Sequence, residues 1–396
     1  MKEANFKETE IGKIPVDWEV KNFLDVFNFL STANYSRAEV SENENTGYIH
    51  YGDIHTKFNF HLDLSKQISG FVSKEKQKNY AKIEIGDLIM ADASEDYSGV
   101  GKSVEVLKLN KKDTISGLHT FLIRDKNKNF ALGFKGYLHS NPLIKKQYDS
   151  LATGLKVFSL SKGCFQNIQI PLPPLAEQEK IAEVLSDTDL WIESTEALLA
   201  KKRQIKKGAM QKLLSPKEDW EVRKLGEVVK IKKGEQFNSS LLNNESPFPC
   251  YSGGIEPSGF SEKFNEDGNC IIISEGGNSC GFINFVKSKF WLGGHCYKII
   301  SIPKDFDQLF LYQLLKYNQT EIMGLRVGSG LPNIQKKAIE NFEIAFPTSK
   351  QTQQEIAEIL SSMDLEIESL ENRLQKARQL KQGMMQDLLT GKVRLE

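Results

Sequence analysis

Residues 176–215 align with residues 351–390 without a gap, at a constant offset of 175, with 22 identities in 40 positions. Ile181-Ala182-Glu183 matches Ile356-Ala357-Glu358, Ile192-Glu193-Ser194 matches Ile367-Glu368-Ser369, and Met210-Gln211 matches Met385-Gln386. A repeat of this length constrains the fold more than any local propensity, since both copies must find equivalent surroundings. A weaker echo lies upstream. Asn167-Ile168-Gln169-Ile170 parallels Asn341-Phe342-Glu343-Ile344, and Asp17-Trp18-Glu19-Val20-Lys21 returns as Asp219-Trp220-Glu221-Val222-Arg223. Each half is therefore an opening motif, a variable segment and a repeated stretch, and 396 residues suit two such domains better than one core.

The repeated stretches predict long helices. Residues 176–214 hold no proline, and their one glycine, Gly208, is near the end. Apolar side chains recur at 4-3 spacing through Ile181, Leu185, Ile192 and Leu199, and again through Ile356, Leu360, Ile367 and Leu374. That is the spacing of a coiled-coil seam. Val184, Trp191, Leu198 and Ile205 widen the first stripe. Charge then sets the direction. Residues 176–196 hold seven acidic side chains and one basic, and residues 197–215 six basic and none acidic. The second copy is polarised the same way, so antiparallel packing sets each acidic half against a basic one. A helix-dipole effect accounts for such polarity only in the terminal turns. About 40 residues at 1.5 Å each predict a rod of roughly 60 Å.

Between these anchors the halves diverge almost completely. Gly86-Asp87-Leu88-Ile89 resembles Gly268-Asn269-Cys270-Ile271, and His119-Thr120-Phe121 resembles His295-Cys296-Tyr297. Residues 82–90, 104–109, 271–274 and 297–302 read as strands, with Gly-, Asn- and Ser-rich loops between. The expected fold class is α+β: two pseudo-symmetric globular α/β domains separated by two long helices that form an antiparallel coiled coil. The boundaries fall at 1–172, 173–215, 216–346 and 347–396.

Composition restrains the functional reading. Lysine plus arginine balances aspartate plus glutamate, 52 against 52, so no global basic footprint announces nucleic acid. Cys164, Cys250, Cys270, Cys280 and Cys296 form no C-x-x-C pair, which suits reduced thiols in a cytoplasm. Apolar runs are too short for a signal peptide or a membrane span. Ser98-Gly99-Val100-Gly101-Lys102-Ser103 resembles the end of a P-loop, but Asp96 stands where its first glycine belongs. Asn141-Pro142-Leu143-Ile144 lacks the second proline and the aromatic of an amino-methyltransferase tetrapeptide. His295-Cys296 with Cys270 and Cys280 does not have zinc spacing, so no metal site is expected.

The run from Ile170-Pro171-Leu172-Pro173-Pro174 to Lys180-Ile181-Ala182 resembles the start of a conserved helix in DNA specificity subunits of type I restriction–modification systems. So do Ile14-Pro15 with Trp18-Glu19-Val20, and the elements Gly52-Asp53-Ile54 and Gly86-Asp87-Leu88. The second copy departs from the pattern, with Ala345-Phe346-Pro347-Thr348 in place of the proline-rich run. The resemblance implies two target recognition domains, each reading one half of a split, asymmetric double-stranded DNA site. It implies two methyltransferase subunits as partners, and two restriction subunits where a motor-nuclease is present. S-adenosylmethionine, and ATP with Mg, then belong to the partners; no cofactor and no catalysis are expected here. Competing readings are a coiled-coil scaffold without DNA reading and a self-sufficient adenine DNA methyltransferase.

Residues that pair with base edges or neutralise phosphates make up the candidate DNA contacts. In the first half these are Asn34, Tyr35, Ser36, Arg37, Lys74, Lys76, Lys78, Tyr80, Ser94 and Tyr97. In the second they are Lys232, Lys233, Gln236, Asn238, Tyr251, Ser252, Asn278, Arg326 and Asn333.

Overall fold

The computed structural model describes residues 5–42, 44–66, 68, 70–77, 79–328 and 330–395. The chain divides into two compact units, one of Met1–Thr195 with Arg373–Glu396 and one of Glu196–Asn372.

The first unit is organised by a five-stranded sheet of β1 (Phe27–Leu30), β2 (His61–Asp63), β3 (Leu88–Ala91), β4 (Ser103–Lys108) and β5 (Thr120–Asp125), in the order β1-β5-β3-β4-β2. All its pairings are antiparallel except that of β4 with β2. In the second unit β6 (Lys230–Lys233), β7 (Cys270–Ser274), β8 (Ile283–Val286) and β9 (Cys296–Ile300) lie in the order β6-β9-β7-β8, all antiparallel. That is the order and sense of β1-β5-β3-β4. Every residue of β3 and of β7 is buried, so central strands with both faces covered read as unbroken apolar runs. Smaller sheets correspond too. Thr46–Ile49 pairs in parallel with Thr114–Ser116, as Phe248–Tyr251 does with Trp291–Leu292.

One strand differs from the sequence expectation. Residues 82–90 do not run as a single strand; Gly86 takes φ +85°, the Asp87 carboxylate accepts from the Glu84 amide at 2.7 Å, and only Leu88–Ala91 enters the sheet. The tight turn requires glycine's left-handed conformation. Strands at 103–108, 270–274 and 296–300 fall within two residues of the expected ones.

The long helices span Leu175–Leu214 and Lys350–Leu388. In the first unit Ile181 and Leu185 of one and Leu388 of the other join a core cluster with Phe23, Phe134 and Tyr137. In the second, Leu214 joins Ile356 and Leu360 against Phe310 and Ile271. Ile192, Leu199 and Leu374 are buried as well, and Ile367 is half-buried. Each fully buried side chain of this size contributes about 1.5–3 kcal/mol.

Polar side chains fix direction and register. Lys381 pairs with Asp189 in the first unit, and Lys206 with Asp364 in the second. Shifting by the repeat offset turns one pair into the other. Also in the second unit, Lys202 meets Glu366 and Arg203 meets Glu371, both at 2.6 Å; from Arg203–Glu371 to Lys206–Asp364 one helix ascends in number as its neighbour descends. The helices are antiparallel in each unit. The Asp–Lys pairs reach into the domains: Tyr137 Oη donates to Asp189 at 2.9 Å, and Gln313 Nε2 donates to Asp364 at 2.7 Å. A buried glutamine near each helix start repeats the pattern. Gln178 donates to the Pro173 carbonyl and accepts from the Ala131 amide; Gln353 donates to the Pro347 carbonyl and accepts from the Asp307 amide.

Asp189→Ala should leave the buried Lys381 ammonium unpaired and cost about 3–5 kcal/mol, whereas Asp189→Leu with Lys381→Met should restore most of the loss. Urea unfolding of both variants measures the difference. Equal losses in the two would show that the charges do not act as a pair.

Candidate nucleic-acid interface

In the first unit a cleft of about 630 Å³ opens beside the helical turn Tyr51–Thr56 and the edges of β3 and β4. His119 stands at its mouth, immediately before β5, with Nδ1 3.2 Å from Asp92 Oδ1 and the Tyr51 ring edge-on at 5.4 Å. Burial pushes the Asp92 carboxyl up, with His119 acting in the opposite direction. Lys102 lines the cleft and donates to the His55 carbonyl at 3.0 Å, and burial lowers its pKa. Ser94 also lines it, with its hydroxyl accepting from the Asp96 amide. Tyr97 is half-exposed and packs on Phe158 with ring centroids 3.9 Å apart.

Two separate sequence runs meet elsewhere in this unit. Tyr35 Oη donates to the Lys76 carbonyl at 3.2 Å, Lys76 Nζ lies 4.5 Å over the Tyr35 ring, and Tyr80 packs edge-on against Tyr35. Lys76 also meets Glu39 at 3.3 Å. Asn34, Ser36 and Lys74 are exposed here. Ser36 caps the short turn Arg37–Glu39 through Glu39. Arg37, among the expected DNA contacts, is exposed and places its fork on Asp53, at 3.1 and 2.7 Å. Burial alone would raise the Asp53 pKa, but hydrogen bonds from Arg37 and Lys57 outweigh it and hold the carboxyl low. Lys78 lies outside the described residues.

The second unit carries a cleft of about 650 Å³ at the matching corner of its sheet, lined among others by Lys233, Ser252, Glu275, His295 and Asn333. Val327 and Asn333 bond to each other in both directions, and the Gly277 amide donates to the Pro332 carbonyl. Glu275 accepts from Lys233 at 2.6 Å and from Tyr297 at 2.8 Å through one oxygen. Asn278 is exposed between the lining residues Gly277 and Ser279. The cleft thus gathers Lys233, Ser252 and Asn333 from distant stretches. Lys232, one residue on, faces Glu266 at 3.6 Å, because successive strand side chains point to opposite faces. Tyr251 is half-buried against Phe290, Gln236 and Arg326 are exposed, and Asn238 caps the turn Ser239–Leu241.

Other motifs have structural roles. Asp96 accepts from the Ser98 hydroxyl and the Gly99 amide, so the P-loop-like run is a capped turn ahead of β4. Asn141 and Pro142 are the cap and first residue of helix Pro142–Leu151. Burial raises the Cys270 and Cys296 thiols to about 11. Among the described residues no group of three or more His, Cys, Asp or Glu side chains is placed to hold a metal ion, and no helix is long and apolar enough to cross a membrane. His119, His295, Tyr51 and Lys102 line the clefts without being among the residues expected there from sequence; for the two histidines the matching tripeptides at 119–121 and 295–297 were the available signal.

Comparison with known proteins gives a consistent picture. The family "Type I restriction modification DNA specificity domain" matches residues 15–203 and 217–379. The type I restriction enzyme MjaVIII specificity subunit of Methanocaldococcus jannaschii is 27% identical, covering 100% of this chain and 97% of its own length. The EcoKI specificity subunit of Escherichia coli is 27% identical over 51% of this chain and 43% of its own. A crystal structure of a type I restriction–modification S subunit from M. genitalium superposes with a TM-score of 0.67 at 17% identity, covering 94% of this chain and 96% of that one. At that identity the likeness establishes a shared fold.

Arg37→Ala should cost about 1.5–3 kcal/mol, since it removes charge-assisted hydrogen bonds to buried Asp53. The Asp53 pKa is depressed on folding, so this stability is present above the ordinary aspartate value of 3.8 and lost as pH falls through the lower folded value. Thermal melts between pH 2 and pH 7 should show a shallower acid dependence in the variant than in the parent.

Proposed function

This chain belongs to the type I restriction–modification DNA specificity family, and we propose that it reads the two halves of a split, asymmetric DNA site, one with each unit. One observation supports this most. The same four-stranded frame carries a cleft at the same corner in both units, and the side chains that line the two clefts are almost entirely different. Two unlike surfaces on one frame suit two different base sequences. In the first unit the run that carries Tyr35 is tied by Arg37 to Asp53 in the cleft-lining turn Tyr51–Thr56, and the Tyr35–Tyr80 pair offers aromatic groups to the duplex backbone.

The chain itself acts by positioning and performs no catalysis. Methylation of an adenine in each half falls to methyltransferase subunits carrying S-adenosylmethionine, and cleavage to restriction subunits using ATP and Mg where these are present. The chain works in the cytoplasm with its DNA. Exposed apolar side chains on the long helices supply docking points for the methyltransferase subunits. Leu190 and Trp191 are exposed in the first unit, and Leu198 and Ile205 in the second, seven residues apart on one helical face. An exposed tryptophan is the kind of anchor that dominates interface energies.

Exchanging residues 216–346 for the corresponding segment of a specificity subunit with another target should change one half of the N6-methyladenine motif and leave the other intact. Genome-wide methylation mapping in cells that carry the hybrid and its methyltransferase reads this directly; changes in both halves would refute the division of labour. Trp191→Asp should weaken methyltransferase association by about 2 kcal/mol or more, measured by titration calorimetry, without altering the fold of the chain alone.

A further inference from the structure

The two clefts share one polar feature. In the first unit the residue after β3 is Asp92 and the residue before β5 is His119; in the second, the residue after β7 is Glu275 and the residue before β9 is His295. Backbone bonding at the corner is the same, with the Asp92 amide donating to the His119 carbonyl at 3.1 Å and the Glu275 amide to the His295 carbonyl at 2.8 Å. The imidazole Nδ1 atoms lie 3.2 Å from Asp92 Oδ1 and 3.8 Å from Glu275 Oε2. That glutamate oxygen is buried and has no hydrogen-bond partner, so a small rotation of His295 completes the same pair.

Packing does not explain why both units keep it. The histidine side chains are 53% and 59% exposed, while the carboxylates behind them are 23% and 13% exposed. Of the other matched positions in these divergent segments, Leu88 with Cys270 and Phe121 with Tyr297 are buried core residues, and Gly86 with Gly268 holds a left-handed turn. His119 moreover holds φ +54°, in the region that favours glycine. A side chain retained at such a backbone position points to a use for it. An ionised carboxylate only accepts hydrogen bonds, so it holds the Nδ1–H of the ring and turns Nε2 outward.

We propose that His119 and His295 are equivalent base-reading residues, one in each unit, whose Nε2 atoms are presented to a base edge in the major groove by Asp92 and Glu275. A base edge is favoured over a phosphate because each cleft also carries acid near the ring. Glu95 and Asp96 line the first, and Glu275 accepts from Lys233 in the second. Asp92 and Glu275 act as positioning residues. The inference rests on the DNA-reading function proposed above.

The test uses the complex of this chain with its methyltransferase subunit and duplexes in which each position of the methylation motif is varied in turn. His119→Ala should lower discrimination at one position of one half-site by roughly 5- to 150-fold and leave the other half unchanged. His295→Ala should do the same in the other half. Asp92→Asn and Glu275→Gln should give smaller losses at the same two positions, with unchanged thermal unfolding. A uniform loss of affinity with a shallower salt dependence would mean phosphate contacts and overturn the proposal, as would unchanged discrimination in both alanine variants. If the parent complex shows no sequence preference, the DNA-reading function fails first; if it does and the variants match it, only the histidine assignment falls.

Discussion

The pairing of Asp189 with Lys381, and of Asp364 with Lys206, is the interaction on which the rest of the structure depends. Both pairs draw the aspartate from one copy of the repeat and the lysine from the other. Parallel helices in register would set Asp189 beside Asp364 and Lys206 beside Lys381, two like-charge contacts in largely buried positions. Antiparallel helices convert both into attractions. Since a mostly buried charge is costly without its partner, a slip in register is penalised twice. The pairs also link helix to domain, through Tyr137 in one unit and Gln313 in the other.

Gln178 and Gln353 make the second joint. Each is fully buried in the first turns of its helix, and each binds both the segment before the helix and a distant loop of its own unit. An amide carries a donor and an acceptor, so one side chain satisfies two backbone groups that burial would otherwise leave unpaired. The helix start and the domain therefore hold a fixed relation in each unit, whatever the loops beyond them contain.

What the sequence made legible follows from this. The repeat, the two helices and their opposed direction could be read because heptad spacing and charge polarity are local patterns. The strand at 270–274 could be read from its β-branched run Ile271-Ile272-Ile273. The sheet order was hidden, because β1 and β5 meet across more than ninety residues of chain. The cleft residues were hidden for the same reason: Lys233, Ser252 and Asn333 are brought together only by the fold. The partner of Arg37 was hidden as well, because nothing near it in sequence reveals Asp53. The turn at Gly86 was masked by the apolar residues on either side of it.

The carboxylates that engage Arg37, Lys76, Lys233 and Lys298 also bear on how a target would be found. Cations already neutralised within the protein displace few counterions from a duplex, and counterion release is the source of sequence-independent affinity. Those four cations would add little to any hold on arbitrary DNA. So far as they decide it, the chain's search would proceed by brief encounters, with any sliding along the duplex supplied by whatever basic surface its partners bring.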